Sequence, residues 1–166
     1  MSPEKTPEAQ MREFFRLLQQ GNEQAVIELR ALNYEGRKNN TFSGYFDQED
    51  SFVAAAKLAT KKSGGVYCTI NVCNPHLLSR SANRATPYAE LTTSDQDIFQ
   101  RRYLPIDLDP ERPAGTSSSG EQHEAAIERS HEVFEFMKQN QWNEPIMVDS
   151  GNGAHLPMPF DYRNDE

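Results

Sequence analysis

Residues Tyr103 to Asp109 read Tyr-Leu-Pro-Ile-Asp-Leu-Asp, a short apolar run that closes on two carboxylates one residue apart. As a strand it sends alternate side chains to opposite faces, so Leu104, Ile106 and Leu108 are expected in a core and Asp107 and Asp109 side by side on the other face. Adjacent anions repel unless a shared proton, a Lys or Arg, or a divalent cation with hard oxygen ligands relieves them. An apolar strand ending in Asp-x-Asp therefore suggests a magnesium or manganese platform of the kind used in phosphoryl transfer. The tripeptide alone also fits a solvated strand end running into a turn at Pro110.

The chain of 166 residues fits one domain over 1–166 and is short for two of ordinary size. Its mean hydropathy of −0.79 and lack of a long apolar run predict a cytoplasmic protein with no membrane partner. Cys68 and Cys73 fall on opposite faces of a predicted strand, which argues for reduced thiols rather than a disulfide or metal pair. A net charge of −8 argues against general phosphate-backbone binding, which depends on Lys and Arg. Basic residues do gather between Lys57 and Arg102, so a local nucleotide or template patch stays open.

In chain order, residues 1–7 are expected to form a disordered polar tail. Glu8 to Leu32 carries helical spacing in two segments broken near Gly21 and Asn22. Asn33 to Gly44 reads as loop, and a helix is expected from about Glu49 to Lys62 with Phe52, Val53, Ala56 and Leu58 on its apolar side. Val66 to Val72 alternates apolar and polar residues and predicts one strand. Asn71 at its end is a candidate for the polar surface of the Asp107 strand or simply a turn residue. Arg80 and Arg84, four apart, would share a helical face as a phosphate clamp or as two solvated arginines.

After Asp109, a Pro- and Ser-rich loop leads to a helix from about Gly120 to Asn140, with Ala126, Ile127, Phe134 and Met137 as its stripe. Ile146 to Val148 supplies another strand. The unit from Leu104 to Val148 thus reads as strand, crossover helix, strand, favouring parallel neighbours. Next comes Ser150-Gly151-Asn152-Gly153-Ala154-His155, whose glycines suit positive φ and close approach of backbone N–H groups to an anion. His155 beyond this turn is either structural or a partner of the two aspartates in one cleft.

Together these residues resemble the archaeo-eukaryotic primase superfamily, the catalytic domain of primase-polymerases, and most closely the primase-like domains of phage and plasmid replication proteins. Ile106-Asp107-Leu108-Asp109 and Ser150 to His155 carry the likeness. So do Tyr45-Phe46-Asp47, Gly65-Val66-Tyr67 through Asn71, Leu78 to Arg84, Thr92-Thr93-Ser94-Asp95 and Asp109 to Gly115. The resemblance implies an α/β (α+β) fold in two parts, with an RRM-like sheet and the site between the halves. It implies that Asp107 and Asp109 bind catalytic Mg2+ or Mn2+, and that His155 contacts the phosphates of an incoming nucleoside triphosphate. Ser150, Gly151, Asn152, Gly153, Arg80, Arg84 and Asn71 are the further nucleotide-binding candidates. The implied partners are a single-stranded DNA template and a helicase domain or protein.

The sequence departs from the family pattern in two places. Leu156-Pro157-Met158-Pro159 replaces an apolar strand, and two prolines that cannot donate to a ladder predict an unfinished sheet at the histidine. The third acidic residue expected after a later apolar strand is not found, although Asp161, Asp165 and Glu166 are present. The chain is therefore expected to be a metal-dependent nucleotidyltransferase that polymerises poorly by itself, or a non-catalytic or truncated nucleotide- or nucleic-acid-binding domain of the same descent.

Overall fold

The structure is a computed structural model that describes residues 5–113 and 115–164. It is a mixed α and β protein built on two four-stranded sheets, with strands β1 (Ile27–Ala31), β2 (Phe42–Phe46), β3 (Val66–Cys68), β4 (Val72–Cys73), β5 (Arg84–Thr86), β6 (Ile98–Leu108), β7 (Val148–Asp149) and β8 (Ala154–Arg163). The helices are α1 (Pro7–Gln19), α2 (Glu49–Lys62) and α3 (Gly120–Gln139). Among the described residues no helix is long and apolar enough to cross a membrane. The chain divides into two compact units, residues 5–100 with 163–164, and residues 101–162.

The first unit is ordered β3-β1-β2-β5, with antiparallel pairing throughout. Thr6 caps α1 by accepting the Ala9 N–H, and Pro7 takes the first helical position, where its missing N–H costs nothing. The helix thus begins inside the expected disordered tail. Phe15 of α1, Phe52 of α2 and Phe46 of β2 form an aromatic cluster with ring centroids 4.7 and 5.8 Å apart. Offset and edge contacts of this kind are favoured over face-to-face stacking. The acidic start of α2 at Glu49 and Asp50 and its basic end at Lys61 and Lys62 complement the helix dipole. Phe52, Val53 and Ala56 are buried as expected, but Ala59 is the inward residue and Leu58 the exposed one.

Three expectations fail in this unit. Ile27–Ala31, within the second expected helical segment, is strand rather than helix, because Ile27, Leu29 and Ala31 are completely buried while β2 and β3 hydrogen-bond to both edges of β1. A segment this short fits either period, and pairing on both sides decides between them. The expected loop from Asn33 ends in β2, held by the buried Asn40 side chain, which donates to the Tyr34 carbonyl at 3.1 Å and accepts from the Tyr88 N–H at 2.9 Å. The single strand Val66 to Val72 is two strands in different sheets, so Val66–Cys68, β6 and β7 do not share one sheet. Cys68 and Cys73 are free thiols.

The other sheet is ordered β4-β6-β8-β7. β4 pairs with the opening residues of β6, Val72 with Gln100 and Cys73 with Ile98. At one end of β8 the Asn164 N–H donates to the Phe99 carbonyl, and at the other Gly153 packs against the Leu108 carbonyl, so β8 runs antiparallel to β6. β7 is antiparallel to β8. β6 and β7, joined by α3, therefore point the same way as a strand-helix-strand unit should, but β8 lies between them where direct parallel neighbours were expected.

Pro157 and Pro159 do not end the sheet. The Pro157 carbonyl accepts the Ile146 N–H at 2.9 Å, so odd-numbered residues of β8 turn their backbone groups toward the β7 side. β7 is only two residues long, and the missing proline donors fall where little ladder needs them. In β6, Leu104 is 47% exposed and Ile106 and Leu108 are half-buried, whereas Tyr103 is the buried residue. The buried positions of α3 are Ala126, Ser130 and Met137.

Candidate functional site

The second unit brings the two sequence motifs together. Asp107 and Asp109 sit at the C-terminal end of β6 and its exit, and β8 starts beside them with Ala154 and His155. His155 Nε2 is 3.4 Å from Asp107 Oδ1, with about half of the histidine side chain and 63% of the aspartate side chain exposed. This pair is open to solvent and to a ligand. Asp109 Oδ2 accepts a hydrogen bond from Arg112 Nη2 at 3.0 Å, and the same guanidinium donates to the Thr116 carbonyl at 3.1 Å and the Pro110 carbonyl at 3.3 Å. The counter-charge of Asp109 is therefore an arginine from the following loop.

Ser150 to Gly153 is the hairpin connection between β7 and β8, where Asp149 pairs with Ala154. Gly151 has φ +81°, as expected of a tight turn. Gly153 is needed for a different reason, since a Cβ there would lie 2.3 Å from the Leu108 carbonyl oxygen. The expected anion-binding N–H groups are largely spent inside the loop. Ser150 N donates to the Gly153 carbonyl, Gly153 N to Ser150 Oγ, and Gly151 N to Asp149 Oδ1.

The N-terminal end of α3 braces this hairpin. Ser118 N donates to Asn152 Oδ1 at 3.1 Å, and His123 Nε2 lies 2.8 Å from Asp149 Oδ1. The His123 contact, followed by the Gly151 N–H, holds the Asp149 carboxyl below the usual carboxylate range. Gln122 Nε2 reaches the Glu111 carbonyl at 3.2 Å, which ties the loop after Asp109 to the same helix. A hollow of about 370 Å³ opens beside Asp109, bordered by Leu108, Glu111, Gln122 and Arg129. Sequence reasoning assigned no role to Arg112, Ser118, His123 or Asp149. Arg112 stood within a segment quoted for its family likeness, while the other three carry no local signal.

The remaining candidates belong to the first unit. Arg80 ends a 3-10 turn, Pro75–Arg80, whereas Arg84 opens β5, so the two do not share a helical face. Arg80 donates to the Tyr45 hydroxyl at 3.4 Å and lies 3.5 Å from Asp97. Asn71 is half-buried just before β4. Among the described residues no group of three or more His, Cys, Asp or Glu side chains is gathered to hold a metal ion. Asp161 is exposed on β8, and Asp165 and Glu166 lie outside the described residues.

Comparison with protein families, curated proteins and solved structures finds no match to this chain.

Proposed function

We propose that this chain is a primase-polymerase-type nucleotidyltransferase domain, which adds a nucleotide to a 3′ hydroxyl under the direction of a single-stranded DNA template. The observation that carries the reading is the approach of His155 to Asp107 on neighbouring strands, with Asp109 at the same strand end. Two motifs distant in sequence thereby present carboxylate oxygens and an imidazole on one exposed edge. The donor chemistry fits Mg2+ or Mn2+, since magnesium is commonly held by one or two carboxylates together with substrate phosphates. Asp107 and Asp109 would hold the ion, which when bound neutralises phosphate charge and lowers the cost of charge building on the leaving group.

His155 donates an imidazole N–H to a phosphate oxygen and positions the nucleotide against the carboxylate edge. Arg112 holds Asp109 at the loop exit, and His123 with Ser118 holds the hairpin from which His155 departs. The net charge of −8 leaves template affinity to a local patch or to a basic partner such as a helicase protein.

A second reading is a nucleotide- or nucleic-acid-binding domain of the same descent without catalysis. It is favoured by the engagement of Asp109 with Arg112 and by the lack of a third gathered acid among the described residues. Primer synthesis and primer extension with magnesium or manganese separate the two. Template-directed products that disappear in Asp107→Asn support the enzyme, and metal-dependent nucleotide binding without products supports the binding domain.

A further inference from the structure

β7 is the last strand of its sheet, and among the described residues no strand lies beyond it. The Ile146 N–H donates to the Pro157 carbonyl at 2.9 Å and the Ser150 N–H to the Gly153 carbonyl at 3.1 Å, so residues 146, 148 and 150 turn their backbone groups toward β8. Met147 and Asp149 turn theirs outward. An unpaired sheet edge of this kind is a template for one more strand, and what it recognises is extended backbone.

A groove of about 740 Å³ runs between this edge and α3, lined by Met147, Val148 and Asp149 from the edge and by His123, Glu124, Ile127 and Glu128 from the helix. It lies entirely within the second unit. The Asp149 carboxylate is already engaged by His123 at 2.8 Å. Glu124 and Glu128 are exposed, and their carboxylates have no partner among the described residues. His131, the remaining ionisable group in the lining, is paired with neither. The groove therefore presents uncompensated negative charge beside an apolar wall.

One helical turn, about 6 Å of rise, separates Glu124 from Glu128. Alternate residues of an extended strand lie on one face about 6.6 Å apart, so basic side chains at i and i+2 match that spacing. Lysine and arginine suit the lining twice, since their aliphatic stems cover Ile127 and Val148 while their charged heads reach the carboxylates. The same carboxylates repel a nucleic-acid strand. Edge-to-edge pairing of two copies of this chain would set acidic edge against acidic edge.

We propose that this edge and groove dock an extended basic segment of a partner protein, which adds as a strand beside β7 with Lys or Arg at alternate positions over Glu124 and Glu128. The docking needs neither a nucleotide nor a metal, and it stands independently of the function proposed above.

The test is titration of the 15N-labelled chain with a capped heptapeptide that alternates lysine and threonine. Amide shifts are expected at Met147, Val148 and Asp149 and along residues 124–128 of α3, and a peptide with glutamate in place of lysine should give none. Met147→Pro removes one outward donor without removing a bond to β8, and should weaken binding about fivefold, as loss of one backbone hydrogen bond implies. Reversing both charges, Glu124→Lys together with Glu128→Lys, should weaken it about tenfold. Absence of shifts at millimolar lysine peptide, shifts confined to other residues, equal binding of the glutamate peptide, or unchanged binding by the folded variants overturns the proposal. Should circular dichroism show Met147→Pro to be unfolded, the charge-reversed chain, altered only at exposed helix positions, decides alone. Self-association in sedimentation that shifts these same amides without peptide also overturns the proposal, as does preferential binding of a single-stranded oligonucleotide at this edge.

Discussion

His155 and Asp107 meet across the seam between β8 and β6, imidazole Nε2 to carboxylate Oδ1 at 3.4 Å, although the loop after Asp109, α3 and β7 separate them in sequence. If this edge receives a metal-bound nucleotide, each charged group there contributes in the range of charge-assisted hydrogen bonds, about 1.5–3 kcal/mol. Asp107→Asn and Asp109→Asn should each weaken magnesium-dependent nucleoside triphosphate binding more than about tenfold, and His155→Ala by about tenfold, as read by calorimetric titration. Unchanged binding in both aspartate variants would remove the metal role.

Gly153→Ala should disturb the same edge without touching a charge. The added methyl would stand 2.3 Å from the Leu108 carbonyl oxygen, so β8 and the end of β6 must separate. Overpacking of this kind costs about 1–3 kcal/mol. Urea denaturation should show that loss, and nucleotide affinity should fall with it. Gly151→Ala should cost stability for another reason, the strain of φ +81° for a residue with a Cβ.

Glu28→Gln should destabilise the first unit by about 2 kcal/mol, because Arg30 loses its charged partner at a nearly dry site. The native carboxylate also sets a pH dependence. Its folded pKa is lowered from the ordinary 4.5, so its contribution is fully present above about pH 4.5 and is lost as pH falls through the folded value below that. Denaturant unfolding between pH 6 and pH 3 should show this acid-side loss in the native chain and a smaller one in Glu28→Gln. An equal slope in both would show that other carboxylates govern the acid limb.

Ser119→Ala should weaken the start of α3. Ser119 Oγ accepts the Gln122 N–H at 3.2 Å while the Gln122 side chain accepts the Ser119 N–H at 2.9 Å, a reciprocal capping box. Loss of the cap should cost about 1 kcal/mol in thermal or denaturant unfolding. Because Ser118 and His123 flank this cap and hold the hairpin, nucleotide affinity should decline in the same variant. Unaltered affinity in a destabilised Ser119→Ala chain would separate helix stability from hairpin placement.

Local chemistry was enough for several parts of this protein. The span of α2, the capped start of α3 near Gly120 and the turn at Gly151 are written in short-range signals: charge at helix ends, a Ser with Gln three residues on, and a glycine where φ must be positive. The apolar run ending in Asp107 and Asp109 was legible as a strand because its alternation and its Pro110 stop are local too. Partnership was not. Ile27 to Ala31 fits a helix or a strand until β2 and β3 claim its two edges, and Val66 to Val72 looks continuous until its halves pair with different strands. The prolines at 157 and 159 looked like an end to the sheet, yet only the pairing of β8 shows that their missing donors face a neighbour two residues long. Likewise, the sequence offered His155 and Asp107 as separate candidates, and strand order made them neighbours, whereas Arg80 and Arg84 were separated by a turn that their spacing could not reveal. Side-chain period and capping are set within a few residues, but which strand lies beside which is decided by burial and hydrogen bonding between segments far apart in the chain.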